Sequence, residues 1–260
     1  MNILNLSTYF RVVEISGDQA EVFLQSQLTN DLRQLAVGQW QWQAYCTRDG
    51  LVQSIFGLWR SDHHYYFLLA ADLAEKLCDL LQKYARFSKV TFRLLQDVHI
   101  ALTVKEASEK NIHWQITAFD ESQLQLAWHT AIDFACTDAF TLLRALFVQH
   151  EFPWLCQATS GCFRPHEINL PNLQIVSFKK GCFPGQEIIA RMHYRGKLKQ
   201  GFYTFQLADV KAFVPGQVIV KEQKQVGVIV DAVCAQQQTF VSMVLQHEWR
   251  NTALFSGKMF

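Results

Sequence analysis

The stretch "WQWQAYCTRDGLVQSIFGLWR", residues 40–60, restricts the fold more than any other part of the chain. Apolar and polar residues alternate, which puts Trp40, Trp42, Ala44 and Cys46 on one face of a strand. "RDG" is a hairpin turn signal, so "LVQSIFGLWR" returns as the antiparallel partner. "SDHH" is the next turn, with His63 and His64 at its solvated tip, and "YYFLLA" is a third strand. "RVVEISG", before the hairpin, reads as a strand ending at Gly17, and "VTFRLL", "VHIALTVK", "IHWQITAF" and "LQLAW" read as short strands after it.

Helical spacing interrupts this pattern four times. In "GDQAEVFLQSQLTNDL", Ala20, Phe23, Leu24 and Leu28 share one face, Ser16 and Gln19 resemble a capping box, and "TND" at 29–31 closes the helix. "DLAEKLCDLLQKYARF" predicts a helix with Asp72 as N-cap and Leu73, Leu77, Leu80, Leu81 and Tyr84 as its buried stripe. "TDAFTLLRALFVQHEFP" is a third, ended by Pro153. "CFRPHEINLPNLQIVSF" reads as an irregular stretch followed by a strand, and "GQEIIARMHYRG" as a short helix. From "GFYTFQL" onward, "VPGQVIV", "QVGVIVDAV" and "TFVSMVL" give only strands and turns. The expected class is α+β: a body over 1–197 and a small β unit over 198–260.

Composition sets outer limits. Half the residues are hydrophobic and 18% are charged, as in a globular protein with a sizeable core. No apolar run approaches the roughly 18 residues a membrane helix needs. The start "MNILNLSTYFRVVEISG" does not read as a secretory signal, so the expectation is a cytoplasmic protein without a membrane partner. The formal net charge of +1 gives no support to direct nucleic-acid binding and does not rule it out. Seven cysteines, Cys46, Cys78, Cys136, Cys156, Cys162, Cys182 and Cys234, form no Cys-x-x-Cys, and most are expected to be small buried hydrophobes.

The candidate chemistry centres on "KKGCFPGQE", residues 179–187. Cys182 follows Lys179, Lys180 and Gly181 and precedes a helix start. Both the lysines and the unpaired N–H groups of a helix N-terminus favour thiolate. A cysteine filling space behind a tight turn accounts for the local residues as well. Glu167, in "RPHEINL", could accept two N–H bonds from an amidine-like edge such as that of a pterin, or it could be a solvated cap. Arg191 and Arg195 suit a helix C-terminus and equally a ligand's carboxylates. Cys162, His166, Cys182 and His193 match no zinc spacing, so no metal site is expected.

"KGCFPGQE" resembles the K-G-C-(aromatic)-x-G-Q-E signature of the YgfZ family, folate-binding proteins linked to iron–sulfur cluster maintenance and also named tRNA-modifying. "ISGDQAEVFLQSQLTNDL", "RPHEINL", "IIARMHYRG" and the C-terminal "VPGQVIV" and "QVGVIVDAV" resemble segments shared with the glycine-cleavage T-protein, an aminomethyltransferase. The resemblance implies three lobes in a ring around a central cavity that holds tetrahydrofolate, with a C-terminal β-barrel. Two lobes would interleave in sequence over 1–197. By the same carry-over, Cys182 is the functional thiol, supported by Lys180, Gln186 and Glu187. Phe10, Asp31, Glu167, Arg191 and Arg195 become candidate folate contacts.

One departure matters. Transferring T-proteins carry a Gly-Gly-x-x-Asp-Asp-like element after the first hairpin. Here "RDGLVQSI" has Gln53 and Ser54 at the acidic positions. The leading expectation is therefore a folate-binding protein that supports iron–sulfur enzymes, including tRNA-thiolating ones. Its partners would be client or assembly proteins, and Cys182 could ligate a cluster transiently, form a mixed disulfide or react with a one-carbon unit on the folate. The alternative is a folate-dependent one-carbon transferase or demethylase, with Asp31 or Asp49 supplying the acid.

Overall fold

The computed structural model describes residues 2–96, 98–108, 111–119, 124–130, 138–250 and 257–259. Among these residues every strand pairing is antiparallel, and the strands form three sheets. The first sheet contains β2 (Phe10–Ser16), β3 (Trp40–Cys46), β4 (Val52–Arg60), β5 (Tyr65–Ala70) and β6 (Thr91–Leu94), in the order β3-β4-β5-β2-β6. The expected hairpin is its β3–β4 edge, with Trp42 opposite Gly57 and Ala44 opposite Ile55.

Both faces of this sheet are covered. Ala44, Cys46, Val12, Leu68 and Ala70 belong to one apolar cluster, against which Trp40 and Trp42 pack. Their alternating neighbours Tyr45, Val13, Phe67 and Leu69 belong to another, shared with helices α1 (Ala20–Gln27) and α2 (Ala71–Ala85). Burial of the Val, Leu and Phe side chains among these contributes about 1.5–3 kcal/mol each. A one-residue slip would exchange the two faces.

The second sheet joins β1 (Asn2–Asn5), β7 (His99–Ser108), β8 (Asn111–Phe119) and β9 (Leu124–Thr130) in the order β1-β7-β8-β9. The third contains β10 (Gln200–Leu207), β11 (Val218–Lys221), β12 (Lys224–Ala235), β13 (Gln238–Gln246) and β14 (Gly257–Met259), in the order β11-β12-β13-β10-β14. Among the described residues its pairings show a five-stranded sheet, without a pairing that closes it into a barrel. Helix α3 (Ala139–Gln149) packs on this sheet through Ala145 and Val148 against Val233, Ala235 and Phe240. Helix α4 (Gln186–Arg195) lies between the long turn region and β10. Among the described residues no helix is long and apolar enough to cross a membrane.

Several local expectations change. The first helix ends at Gln27 rather than running through "TND". The Ser16–Gln19 capping box does not form, because the Ser16 hydroxyl pairs with Thr91 across β2–β6 at 2.8 Å and Gln19 makes no side-chain cap bond. Ala70, not Asp72, is the N-cap of α2, because β5 runs straight into the helix. Leu73, Leu77 and Leu81 are buried as expected, whereas Tyr84 is exposed and Leu80 only partly buried. "LQIVSF" forms no strand; its backbone is drawn into side-chain-anchored turns. Of the cysteines, Cys46 is buried, Cys78 and Cys156 are intermediate, and Cys162, Cys182 and Cys234 are exposed. Cys136 lies outside the described residues.

Candidate functional site

The cysteine motif is a shoulder where α4 docks on the β3–β4 turn. Gly185 is the helix N-cap at φ 79°, and a Cβ there would lie 2.5 Å from Thr47 O and 2.7 Å from Gly50 Cα. Only glycine lets the helix start approach that turn. Gly181 is not constrained in this way, since a Cβ there would meet nothing within 4 Å and its φ is not positive. Gly185→Ala is accordingly expected to lower the unfolding free energy by about 2 kcal/mol or more, and Gly181→Ala by less than about 0.5 kcal/mol, measured by urea denaturation.

Cys182 is exposed on a hollow of about 450 Å³ that it shares with Arg48, Phe183, Gln186 and Glu187. Gln186 opens the helix, its N–H donating to Phe183 O at 3.1 Å, and Glu187 is exposed in the first turn. The cation beside the thiol's hollow is therefore Arg48. Lys180 is buried, and its ammonium donates to Leu28 O and, at 3.0 Å, to Asn30 O, with the Phe183 ring 5.4 Å away. Burial pulls this ammonium down to about 8, opposed by the Asp31 charge.

Lys180 thus ties the motif to the turn after α1, where "TND" acts as a hub. Thr29 Oγ1 donates to Ile175 O at 2.7 Å and accepts from Ala44 N at 3.0 Å. Asn30 Nδ2 donates to Trp42 O and Gln174 O. Asp31 accepts from Arg33 Nε at 2.9 Å, Arg33 Nη2 at 2.7 Å and Gln25 Nε2 at 2.8 Å. The Arg33 hydrogen bonds hold its carboxyl at about 2 against the opposing effect of burial. Asp31 is a saturated structural carboxylate in this arrangement.

Glu167 is buried at the edge of a cleft of about 860 Å³, which also has Met192, Lys197, Gln200 and His247 in its walls. One carboxylate oxygen accepts from Arg164 N at 2.8 Å and the other from Gln200 Nε2 at 2.9 Å. The adjacent His166 faces the other way, its ring 5.9 Å from His193 and 6.0 Å from Phe178. Both its ring nitrogens are buried with no hydrogen-bond partner among the described residues, and burial, then the neighbouring His193, pushes its pKa down. Arg191 and Arg195 are exposed along α4.

Phe10 is 3% exposed, a core residue with its ring 5.2 Å from Trp154. Its neighbour Tyr9 reaches a different hollow, of about 380 Å³, between the first sheet, α3 and β12. Tyr9 stacks on Phe140 at 3.9 Å and 7°, and Trp154 meets Phe140 edge-on at 5.9 Å. The polar lining includes Asp72, Arg144, Cys156 and Asp231. Asp72 Oδ2 accepts from Gln157 N at 2.7 Å, and its second oxygen has no hydrogen-bond partner among the described residues. Arg144 Nε bonds Asp231 Oδ2 at 2.9 Å, and Nη2 bonds both Asp231 Oδ1 and Ala232 O.

The expected site residues are therefore divided among separate hollows: Cys182, Gln186 and Glu187 in one, Glu167 in another, and Phe10 behind a third. Sequence reasoning missed Tyr9, Asp72, Arg144, Trp154 and Asp231 as one lining. Their positions span 9–231, and no local spacing connects them. Gln53 and Ser54 lie on β4; Gln53 O accepts from Ser160 Oγ at 2.7 Å, and Ser54 is buried. Among the described residues no three His, Cys, Asp or Glu side chains are grouped to hold a metal ion.

No family model matches the chain. It is 29% identical to an uncharacterized protein of Haemophilus influenzae over 96% of this chain and 82% of that one. It is 31% identical to the tRNA-modifying protein YgfZ of Escherichia coli, over 73% of this chain and 67% of the relative. The YgfZ of Photobacterium profundum is 27% identical over 77% and 68% of the two chains. Among solved structures, aminomethyltransferase T of the Bartonella henselae glycine cleavage system superposes with a TM-score of 0.64 at 14% identity, covering 99% of this chain and 82% of that one. The fold is thus that of aminomethyltransferase T, and the chain belongs to the YgfZ family.

Proposed function

We propose that this protein binds folate by its pterin ring in the hollow lined by Tyr9, Phe140 and Trp154. In this reading it supports iron–sulfur enzymes, including tRNA-modifying ones, through Cys182. The three sheets would be the three lobes of the ring, with 198–260 as the barrel lobe. The observation that carries the reading is an aromatic-walled space of about 380 Å³, suited to a flat bicyclic ring, with one open carboxylate oxygen on Asp72. That oxygen can accept from the amidine edge of a pterin. Glu167 is less suited, because both its oxygens already accept hydrogen bonds.

Bound folate supplies a one-carbon carrier. The chain's own groups stack the ring, pair its edge and exclude water. A transferase reading has less support, since the Asp31 carboxylate is saturated and Asp49 is exposed in the β3–β4 turn. Cys182 would supply a single thiol to a cluster or mixed disulfide whose remaining ligands come from a client protein. The cytoplasm is the compartment this role assigns.

Calorimetric titration with tetrahydrofolate tests the reading. Wild type is expected to bind, Tyr9→Ala and Asp72→Asn to weaken binding tenfold or more, and Glu167→Ala and Cys182→Ala to change it by less than twofold. Loss of binding only in Glu167→Ala would move the pterin to the other cleft. No heat with wild type at millimolar ligand would end the folate assignment.

A further inference from the structure

The net charge of +1 conceals an uneven distribution. Between residues 179 and 199, Lys179, Arg191, Arg195, Lys197 and Lys199 are all exposed, and Glu187 is the only carboxylate in that stretch. None of the five cations is in an ion pair among the described residues. Glu167 and Glu248 line the neighbouring cleft together with Lys197 and Lys199, whereas among the described residues no carboxylate lines the groove on the Lys179 side of α4. Arg191 and Arg195 stand one turn apart on α4 beside that groove, outside its lining, and Tyr194, which lines it, lies at i+3 from Arg191.

That groove has a volume of about 770 Å³ and is walled by Trp40 and Trp42 on β3 and by Phe178, His193 and Tyr194. The His193 ring stacks on Phe178 at 3.8 Å and 14°, and Tyr194 stands edge-on to His193 at 4.9 Å. Tyr194 is 71% exposed, too exposed for a packing role. Gln34, Gln39 and Gln174 also line the groove, and no side-chain hydrogen bond engages their amides among the described residues. Flat π faces, free amides and unpaired cations are the combination that recognises unstacked nucleobases on a phosphate backbone.

We propose that this groove binds a single-stranded RNA segment, with bases against Tyr194 and the Trp40–Trp42 wall and phosphates on Lys179, Arg191 and Arg195. An acidic peptide would use the cations but would leave the exposed Tyr194 ring and the amides of Gln34, Gln39 and Gln174 unused. The site is separate from the folate hollow, so either assignment can fail alone.

Fluorescence anisotropy of the full chain with a labelled RNA of about 12 nucleotides tests this, beside the same sequence as a duplex and a polyglutamate competitor. Wild type is expected to prefer the single strand over the duplex and to keep it against polyglutamate at equal charge. Tyr194→Ala is expected to weaken binding about tenfold with an unchanged salt slope. Arg191→Ala with Arg195→Ala is expected to reduce the slope of log K against log salt by about 1.4, for two lost single-strand phosphate contacts. Three outcomes would overturn the proposal: equal binding of duplex and single strand, displacement by polyglutamate at equal charge, or a Tyr194→Ala protein that binds like wild type.

Discussion

Asp231→Ala is expected to lower the unfolding free energy by about 3 kcal/mol, because it leaves the partly buried Arg144 guanidinium without its counter-charge. The pair joins α3 to β12 at the floor of the aromatic hollow. A register shift in the β12–β13 pairing between Ile229 and Asp231 interrupts the ladder where Asp231 meets the helix. Burial pushes the Asp231 carboxyl up, and the bidentate guanidinium works against that push. The double variant Arg144→Met with Asp231→Val is expected to recover most of the loss, since an apolar pair of nearly the same volume has no charge to desolvate. Urea midpoints of the three proteins decide this. A single variant within about 1 kcal/mol of wild type would show that the pair contributes little.

Cys182→Ala is expected to abolish activity in cells while leaving the fold unchanged. The side chain is exposed, so its removal is expected to shift stability by no more than about 0.5 kcal/mol. The readout is rescue of a deletion strain, scored by the activity of its tRNA-modifying iron–sulfur enzymes, with the urea midpoint measured in parallel. Full rescue would show that the thiol has no functional role. Lys180→Met separates the thiol from its scaffold. It removes the bonds to Leu28 O and Asn30 O, so its loss of function would be accompanied by a lower midpoint.

Much of the local structure was legible in the sequence. The alternation in 40–46 set both faces of the first sheet, and the helix start after Cys182 was legible, although the approach of Gly185 to Thr47 and Gly50 was not. These features depend on short-range periodicity and turn composition, so a few neighbouring residues specify them. The motif around Cys182 also carried the family resemblance, which the relatives bear out.

The long-range pairings belong to the tertiary structure alone. Lys180 reads in sequence as a charge beside the thiol, yet it is buried under carbonyls 150 and 152 positions away. "TND" reads as a helix cap, yet Thr29 and Asn30 bind backbone groups of Ile175 and Gln174. Asp72 reads as another cap, yet it receives the N–H of Gln157. A polar side chain satisfies its hydrogen bonds with whichever partner the packed layers bring within about 3 Å, and local propensity says nothing about that partner. The sequence by itself therefore determined the class, the strand faces and the family. Only the tertiary structure decided which carboxylates are spent, which remain open, and where the aromatic rings form a wall.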